Sequence, residues 1–450
     1  MQKFGARAFV AFVILGMVGA AHISAQSRPQ TSPPIGRAVP RGTPPGTQPP
    51  AHPPTPTPPP TSGSPSASDL FDPTVVHDLH LTVNTRDWVQ LKEEFREDTY
   101  YLADVRWRDQ VVRNVGIRSR GRGTRSGIKP GLRVDFNRYS AGQEFLGLKS
   151  LVLDNFLQDP SMVRERIAML LFEEMGIKAP RETHARLFVN GEYVGLYAIV
   201  ESVDKHFLQR QFGENDGYLY EFKWKDQPYG FEYLGADLEP YAELFEAQTH
   251  ETESIATLFH PIREMIWAFA ESPDHRFLQL AEEQMDLTKF MVYIAVENFV
   301  ADADGVLGNW GMNNFYLYRF EGSTRHQFIP WDKDSSFRAI DYDIWNKIST
   351  NVLVRRALED DSLRAAYADA LRRCAEVALR KDSPGGPGWL ERQVTFMAAQ
   401  IAEPAAADPS KPYSNGQVEG ALAELREFAK QRPLFVLQKL GISPAESVRR

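Results

Sequence analysis

Fifteen of the chain's 31 prolines fall between Ser27 and Ala67, interleaved with Thr, Ser and Gly and with no acidic residue among them. Such a segment cannot bury enough apolar surface to offset the entropy lost on ordering it, so it reads as an extended, polyproline-rich tether. Whatever folds must begin near Ser68. Upstream, Lys3 and Arg7 precede an apolar run from Phe9 to Ala21 and a small-residue exit at Ser24-Ala25. That is the make-up of a cleaved secretory signal over residues 1–25, followed by a linker over 26–67. The apolar run is short for a spanning helix, and no later segment is apolar enough to cross a bilayer. The expected setting is therefore secreted or exported (periplasm, cell surface or medium), with no transmembrane segment after signal cleavage.

Without residues 1–67 the chain keeps 46 basic residues against 59 acidic ones, a formal charge of −13. A surface of that sign lacks the counterion release on which nucleic-acid binding depends, so no nucleic-acid partner is expected. The lone Cys374 excludes an intramolecular disulfide and reads as a small apolar residue in a helix.

The period of the apolar residues changes along the chain. Two-residue alternation marks strands at 75–84, Tyr101–Trp107, Val111–Arg118 and Leu132–Phe136, then a hairpin whose strands flank Asn190-Gly191, then Tyr218–Phe222. A helix opened by Asp159-Pro160-Ser161 stops at Gly176. From about Leu238 the pattern is helical: Ile255–Glu271, His275–Glu283, Leu287–Val300 after the cap Asp286, Val352–Leu379, Trp389–Ala402 and Val418–Leu440. The expected class is α+β, with a sheet-rich lobe over 68–228 and a helix-rich lobe over 229–450.

One β-hairpin, over 303–337, interrupts the helical half. It holds Asp304 in a Gly/Asn-rich loop, the amide pair Asn313-Asn314, the strand Phe315–Tyr318, and a second run ending on Trp331-Asp332-Lys333-Asp334. Carboxylates and an amide at the ends of two neighbouring strands are what a catalytic base and a Mg²⁺ site require, since Mg²⁺ takes hard oxygen ligands at fixed geometry. An EF-hand reading of Asp302-Ala303-Asp304-Gly305 fails on spacing, because Val306 occupies the third acidic slot and Asn313 the last. No His-Glu-x-x-His, Gly-x-Ser-x-Gly or Gly-x-x-x-x-Gly-Lys-Ser/Thr word occurs. The run from Arg118 to Gly127, with Arg120, Arg122 and Arg125 among glycines, has the composition of a loop that folds over phosphates, or of a solvated basic hairpin.

Several segments in order resemble the CotH kinases, the spore-coat-protein-H-type atypical protein kinases. They are Gly116–Phe136, Phe145–Leu151, Asp159–Pro180, Leu187–Glu201, Gly217–Tyr220, Asp304–Tyr318 and Pro330–Phe337. The resemblance implies a two-lobed kinase-like fold, ATP with Mg²⁺ or Mn²⁺, and transfer of the γ-phosphoryl group to Ser or Thr of a secreted or surface protein. It implies further that Asp304 is the catalytic aspartate, with Asn314 and Asp332 as metal ligands. Asn313 is the alternative to Asn314, and Asp334 is either a second metal ligand or a strand-end cap. The phosphate-clamping cation is either Lys129 or Arg133, with Glu165 or Glu201 as its ion-pair partner and Arg122 contributed by the basic loop. The second reading is a non-catalytic surface, coat-assembly or adhesion module that keeps the fold.

Overall fold

In this computed structural model residues 65–225 and 227–443 are described, so the expected signal and nearly all of the linker lie outside the described residues. A one-turn helix α1 (Ala67–Leu70) leads into β1 (Val76–Val83), α2 (Thr85–Glu93), β2 (Tyr101–Trp107), β3 (Gln110–Ser119), β4 (Leu132–Asp135) and β5 (Ser150–Asp154). Helix α3 (Arg164–Glu174), the hairpin β6 (Glu182–Val189) and β7 (Glu192–Glu201), and α4 (Lys205–Phe212) complete the first half. The seven strands close in the order β1-β2-β3-β4-β5-β7-β6, with β1 and β6 pairing in parallel to seal the barrel. Closure removes both edges.

The barrel is filled from alternate strand positions: Leu79, Leu81, Val105, Trp107, Val115, Ile117, Leu151, Leu153 and Tyr197 all lie inside. Asn190 and Gly191 take positive φ (52° and 89°) in the tight β6–β7 turn, and the Asn190 side chain accepts from Val83 N–H at 2.9 Å. Strand β5 is absent from the strands expected by alternation. Its Leu151-Val152-Leu153 run has no polar residue between apolar ones because it is buried on both faces, Leu151 and Leu153 in the barrel and Val152 in the second core.

Strand β8 (Tyr218–Phe222) leaves the barrel and joins the helical half, in a four-stranded sheet ordered β11-β10-β8-β9 with β9 (Phe245–Ala247), β10 (Phe315–Arg319) and β11 (His326–Pro330). Around this sheet stand α5 (Glu239–Leu244), α6 (Ile255–Ala270), α7 (Asp274–Gln284), α8 (Leu287–Phe299), α9 (Val352–Ala357), α10 (Asp361–Leu379), α11 (Trp389–Ala407) and α12 (Asn415–Lys439). Mixed α+β architecture, sheet first and helices second, is thus the observed class. The helix expected over 352–379 is broken because Asp360 caps a new start, accepting from Ser362 and Leu363 N–H at 2.9 and 3.0 Å. Helix α3 begins later than its Asp-Pro-Ser signal. Met162 has φ 60°, and Asp159 reaches past it to accept from Val163 and Arg164 N–H, each at 2.9 Å. Cys374 is fully buried in α10. Tyr197 and Tyr220 face the core; Tyr193 and Tyr218 are only half-buried, with their hydroxyls on Pro404 O and Glu253.

Candidate active site

Helix α8 delivers the chain to Asp302 and Asp304. The loop then turns so tightly that a Cβ at Gly305 would lie 2.6 Å from an Asp302 carboxylate oxygen, and one at Gly308 2.9 Å from Asp304 Cα. The returning strand β10 brings both asparagines onto Asp304. Asn313 Nδ2 donates to both carboxylate oxygens at 3.2 Å, and Asn314 Nδ2 donates to Oδ2 at 3.0 Å and to the Asp304 carbonyl at 3.1 Å. Both amides that competed for one role therefore stand at the same carboxylate. Burial raises the Asp304 pKa, with Asp302 adding to the rise while Asn313, Lys333 and Asn314 oppose it.

The antiparallel pairing of β10 with β11, with Phe315 opposite Pro330, places Asn314 beside the far end of β11, where Trp331 N–H donates to Asn314 O at 3.2 Å. Asn314 and Asp332 both sit at positive φ (57° and 50°). Left-handed backbone at two non-glycine residues flanking one strand end is the kind of strain that functional sites hold. Among the described residues no donor is hydrogen-bonded to the Asp332 carboxylate. Its pKa is pushed up to about 6, chiefly by burial, with Asp154 and Asp304 adding and Arg120 and Lys333 opposing. Asp334 is raised as well, by burial first and then by Asp332, Asp154 and Asp159.

These donors suit a hard divalent cation. Among the described residues no group of three or more His, Cys, Asp or Glu converges to hold one. Mg²⁺ characteristically takes one or two carboxylates and fills its octahedron with an amide, water and phosphate oxygens, which matches Asp332, Asn314 and Asp334.

The cation assignments divide. Arg133, on β4, has one side-chain hydrogen bond among the described residues, from Nη2 to Ser150 Oγ at 3.4 Å, and its buried Nε has no partner among them. Lys129 is engaged in the fold. Its ammonium is buried 2.7 Å from Asp408 and packs over Tyr197 and Phe156, so it holds the fold together. Arg122 bridges to the Trp224 carbonyl and stacks on that ring, with its guanidinium carbon 4.8 Å from the ring centre. Trp224 Nε1 in turn donates to Trp310 O at 2.8 Å, tying the basic loop to the loop of Asp304.

The expected ion-pair partners are elsewhere too. Glu201 is held by Arg181 at 2.8 Å and by Arg210 at 2.5 Å. Glu165 has no ion pair among the described residues; burial raises its pKa, and the charges of Glu182, Asp332, Asp154 and Asp334 raise it further. Neither glutamate forms an ion pair with Lys129 or Arg133.

Sequence reasoning did not single out Arg120 within its loop, and it missed Asp154. Arg120 stacks its guanidinium 5.6 Å from the centre of the Trp331 ring, lies 3.9 Å from Asp154, and is the main charge opposing the rise at Asp332. Nothing separates Arg120 from the other arginines of its loop until β3 and β4 pair and Arg120 N–H bonds Gly131 O at 2.9 Å. The arrangement puts a half-buried, amide-bound carboxylate at Asp304 and a strand-end carboxylate at Asp332 with no hydrogen-bond donor among the described residues, with Arg120 the main charge opposing the rise at Asp332.

Residues 117–436, well over half of the chain, match the family described as CotH kinase protein. The chain is 23% identical over 375 residues to the inner spore coat protein H of Bacillus subtilis strain 168, covering 80% of this chain and 97% of that protein. It is also 23% identical over 208 residues to the invasin CotH3 of Rhizopus delemar, covering 45% of this chain and 34% of that protein. A solved structure, the Helicobacter pylori proinflammatory kinase CtkA, aligns over 72% of this chain and 94% of its own with 10% identity and a TM-score of 0.28, too low to bear on the fold. The extent of the family match, over the later barrel strands, the hairpin and the helices that carry it, means that this chain belongs to the CotH kinase family.

Proposed function

We propose that the protein is an exported atypical protein kinase that transfers the γ-phosphoryl group of ATP to a Ser or Thr hydroxyl of another secreted or surface protein. The observation that carries this reading is the division of labour between Asp304 and Asp332. The first is engaged by two protein amides and the second by no donor among the described residues, and the β10–β11 pairing brings Asn314, which bonds Asp304, to the strand end that leads into Asp332. In this reading Asp304 orients the acceptor hydroxyl and takes its proton, and burial makes it the more basic for that role. Asp332, Asn314 and Asp334 would hold Mg²⁺ or Mn²⁺, which when bound neutralises charge on the phosphates. Arg120, the main charge opposing the rise at Asp332, and Arg133 on β4 would in this reading fork onto phosphate oxygens. Phosphoryl transfer asks little covalent work of the protein, so placement and charge supply most of the rate.

The test uses the purified protein with γ-labelled ATP, Mg²⁺ or Mn²⁺ and a generic acceptor protein. Asp304→Asn should keep metal-dependent ATP binding and lose transfer by roughly 10²- to 10⁴-fold. Asp332→Ala should lose the binding itself. Absence of transfer and of metal-dependent ATP binding in the native chain would leave the surface or coat-assembly reading in its place.

A further inference from the structure

Lys333 stands between the two carboxylates proposed for the metal, yet it is 0% exposed and turns away from them. Its ammonium is 2.6 Å from Glu297 Oε1 and 3.0 Å from Asp302 Oδ2, both carboxylates also being buried. The other oxygen of each carboxylate faces the loop. Glu297 Oε2 accepts from Val306 N–H at 2.8 Å, and Asp302 Oδ1 accepts from Asp304 N–H at 3.0 Å. Three further bonds close the same loop: Asp302 N–H to Glu297 O at 3.0 Å, Ala303 N–H to Ser335 O at 3.3 Å, and Asn309 N–H to Ala303 O at 2.7 Å.

We propose that Lys333 is the positioning residue for Asp304: clamped between Glu297 and Asp302, it fixes the carboxylates that hold the Asp304 and Val306 amides, and so aims Asp304 toward the strand end of Asp332. The two arms of the site are thereby one rigid unit. Each oxygen named has a donor, as a buried cluster of charged groups requires. Removing the ammonium sets two buried carboxylates against each other, and the amides bonded to them move with them. Gly305 is packed so closely against both carboxylates that a shift of either is passed on to the loop. Displacing a reacting group by about 1 Å costs on the order of 10²-fold in rate.

The catalytic part of this proposal rests on the kinase reading; the positioning part does not. The experiment is hydrogen exchange and steady-state kinetics on the full chain, comparing native protein with Lys333→Met and with the double variant Glu297→Gln/Lys333→Met. In the double variant the carboxamide introduced at position 297 can donate to Asp302 through its nitrogen, and its oxygen can still accept from Val306. In Lys333→Met the Asp304 and Val306 amides should lose protection by about tenfold or more while barrel amides keep theirs. Turnover should fall on the order of 10²-fold with KM for Mg-ATP within about threefold of native, a split that general loosening of the fold would not give. The double variant should lie between the single variant and native in both measurements, and it decides the matter if the single variant does not fold. Native protection at Asp304 and Val306 in a folded variant, or loss of protection in the barrel and the loop together, overturns the proposal. A native chain that transfers no phosphate would end the kinase reading, and the exchange result would still decide the positioning role.

Discussion

The Lys129 ammonium lies 2.7 Å from the Asp408 carboxylate, across 279 residues of sequence, where neither side chain meets solvent. Asp408 also accepts from the backbone N–H groups of Leu196, Ser410 and Lys411 at 3.0, 2.8 and 2.9 Å, so the end of α11 is pinned to β7 of the barrel. A Cβ at Gly195 would stand 2.7 Å from the same carboxylate.

Lys129→Met should therefore act on stability. Breaking a buried pair leaves an uncompensated carboxylate and costs about 3–5 kcal/mol. Denaturant unfolding should report that loss, while the affinity of the remaining folded protein for Mg-ATP stays at the native value. A nucleotide defect without a stability defect would return Lys129 to the phosphates.

Arg133 and Glu201 should part in the opposite sense. Arg133→Gln removes a guanidinium whose Nε has no partner among the described residues, so stability should change little; ATP affinity, read by calorimetry, should fall roughly 10- to 10²-fold, since a charge-assisted bond contributes about 1.5–3 kcal/mol. Glu201→Gln takes away the carboxylate shared by Arg181 and Arg210 and should lower the melting temperature without touching nucleotide affinity.

Arg432 should prove a strut beneath the site. Fully buried on α12, it donates to Phe299 O at 3.0 Å, Asn298 O at 2.7 Å, Ile340 O at 2.9 Å and Tyr342 O at 2.5 Å, gathering the C-terminal end of α8 just before Asp302. Arg432→Met strands these carbonyls, each at a cost of about 1–3 kcal/mol, so the variant should unfold at clearly lower denaturant concentration. Arg432→Lys should recover only part of the loss, because an ammonium has three donors and no planar fork.

His184 predicts a pH effect of definite sign. Its Nε2 is 2.7 Å from Met162 O and its Nδ1 3.0 Å from the Arg166 guanidinium, so the ring is neutral with its proton on Nε2. Burial above all, and then Arg166, pushes its pKa down to about 3. An unfolded histidine titrates near 6.5, so below that pH the unfolded chain binds a proton that the native state refuses. This contribution is present in full above about pH 6.5 and is lost toward pH 3, by at most about 1.4 kcal/mol per pH unit. His184→Gln, which keeps one donor and one acceptor, should flatten the fall in unfolding free energy between pH 6.5 and 5. Carboxylates with raised pKa values, such as Glu165 and Glu182, act with the opposite sign, but they are common to both proteins and cancel in the difference.

Local pattern was enough for the α+β class, the Asn190-Gly191 hairpin, the Asp286 cap of α8 and the strands around Asp304 and Asp332. Each of these is written in a few neighbouring residues, as a period, a turn pair or a cap, and local sterics act over that range. The candidate pair Asp304 and Asp332 was likewise legible, because β10 and β11 are joined by a short connection. What local pattern could not supply was which charges meet. Lys129 and Arg133 are four residues apart and similar on paper, yet one is claimed by an aspartate from the end of α11 and the other has no carboxylate partner among the described residues. Barrel closure by β1 against β6, the passage of β8 into the second sheet, and the burial of Lys333 between Glu297 and Asp302 were decided in the same way. A buried charge is placed by whichever partner the packed chain brings within about 3 Å, and that distance has no counterpart in sequence spacing.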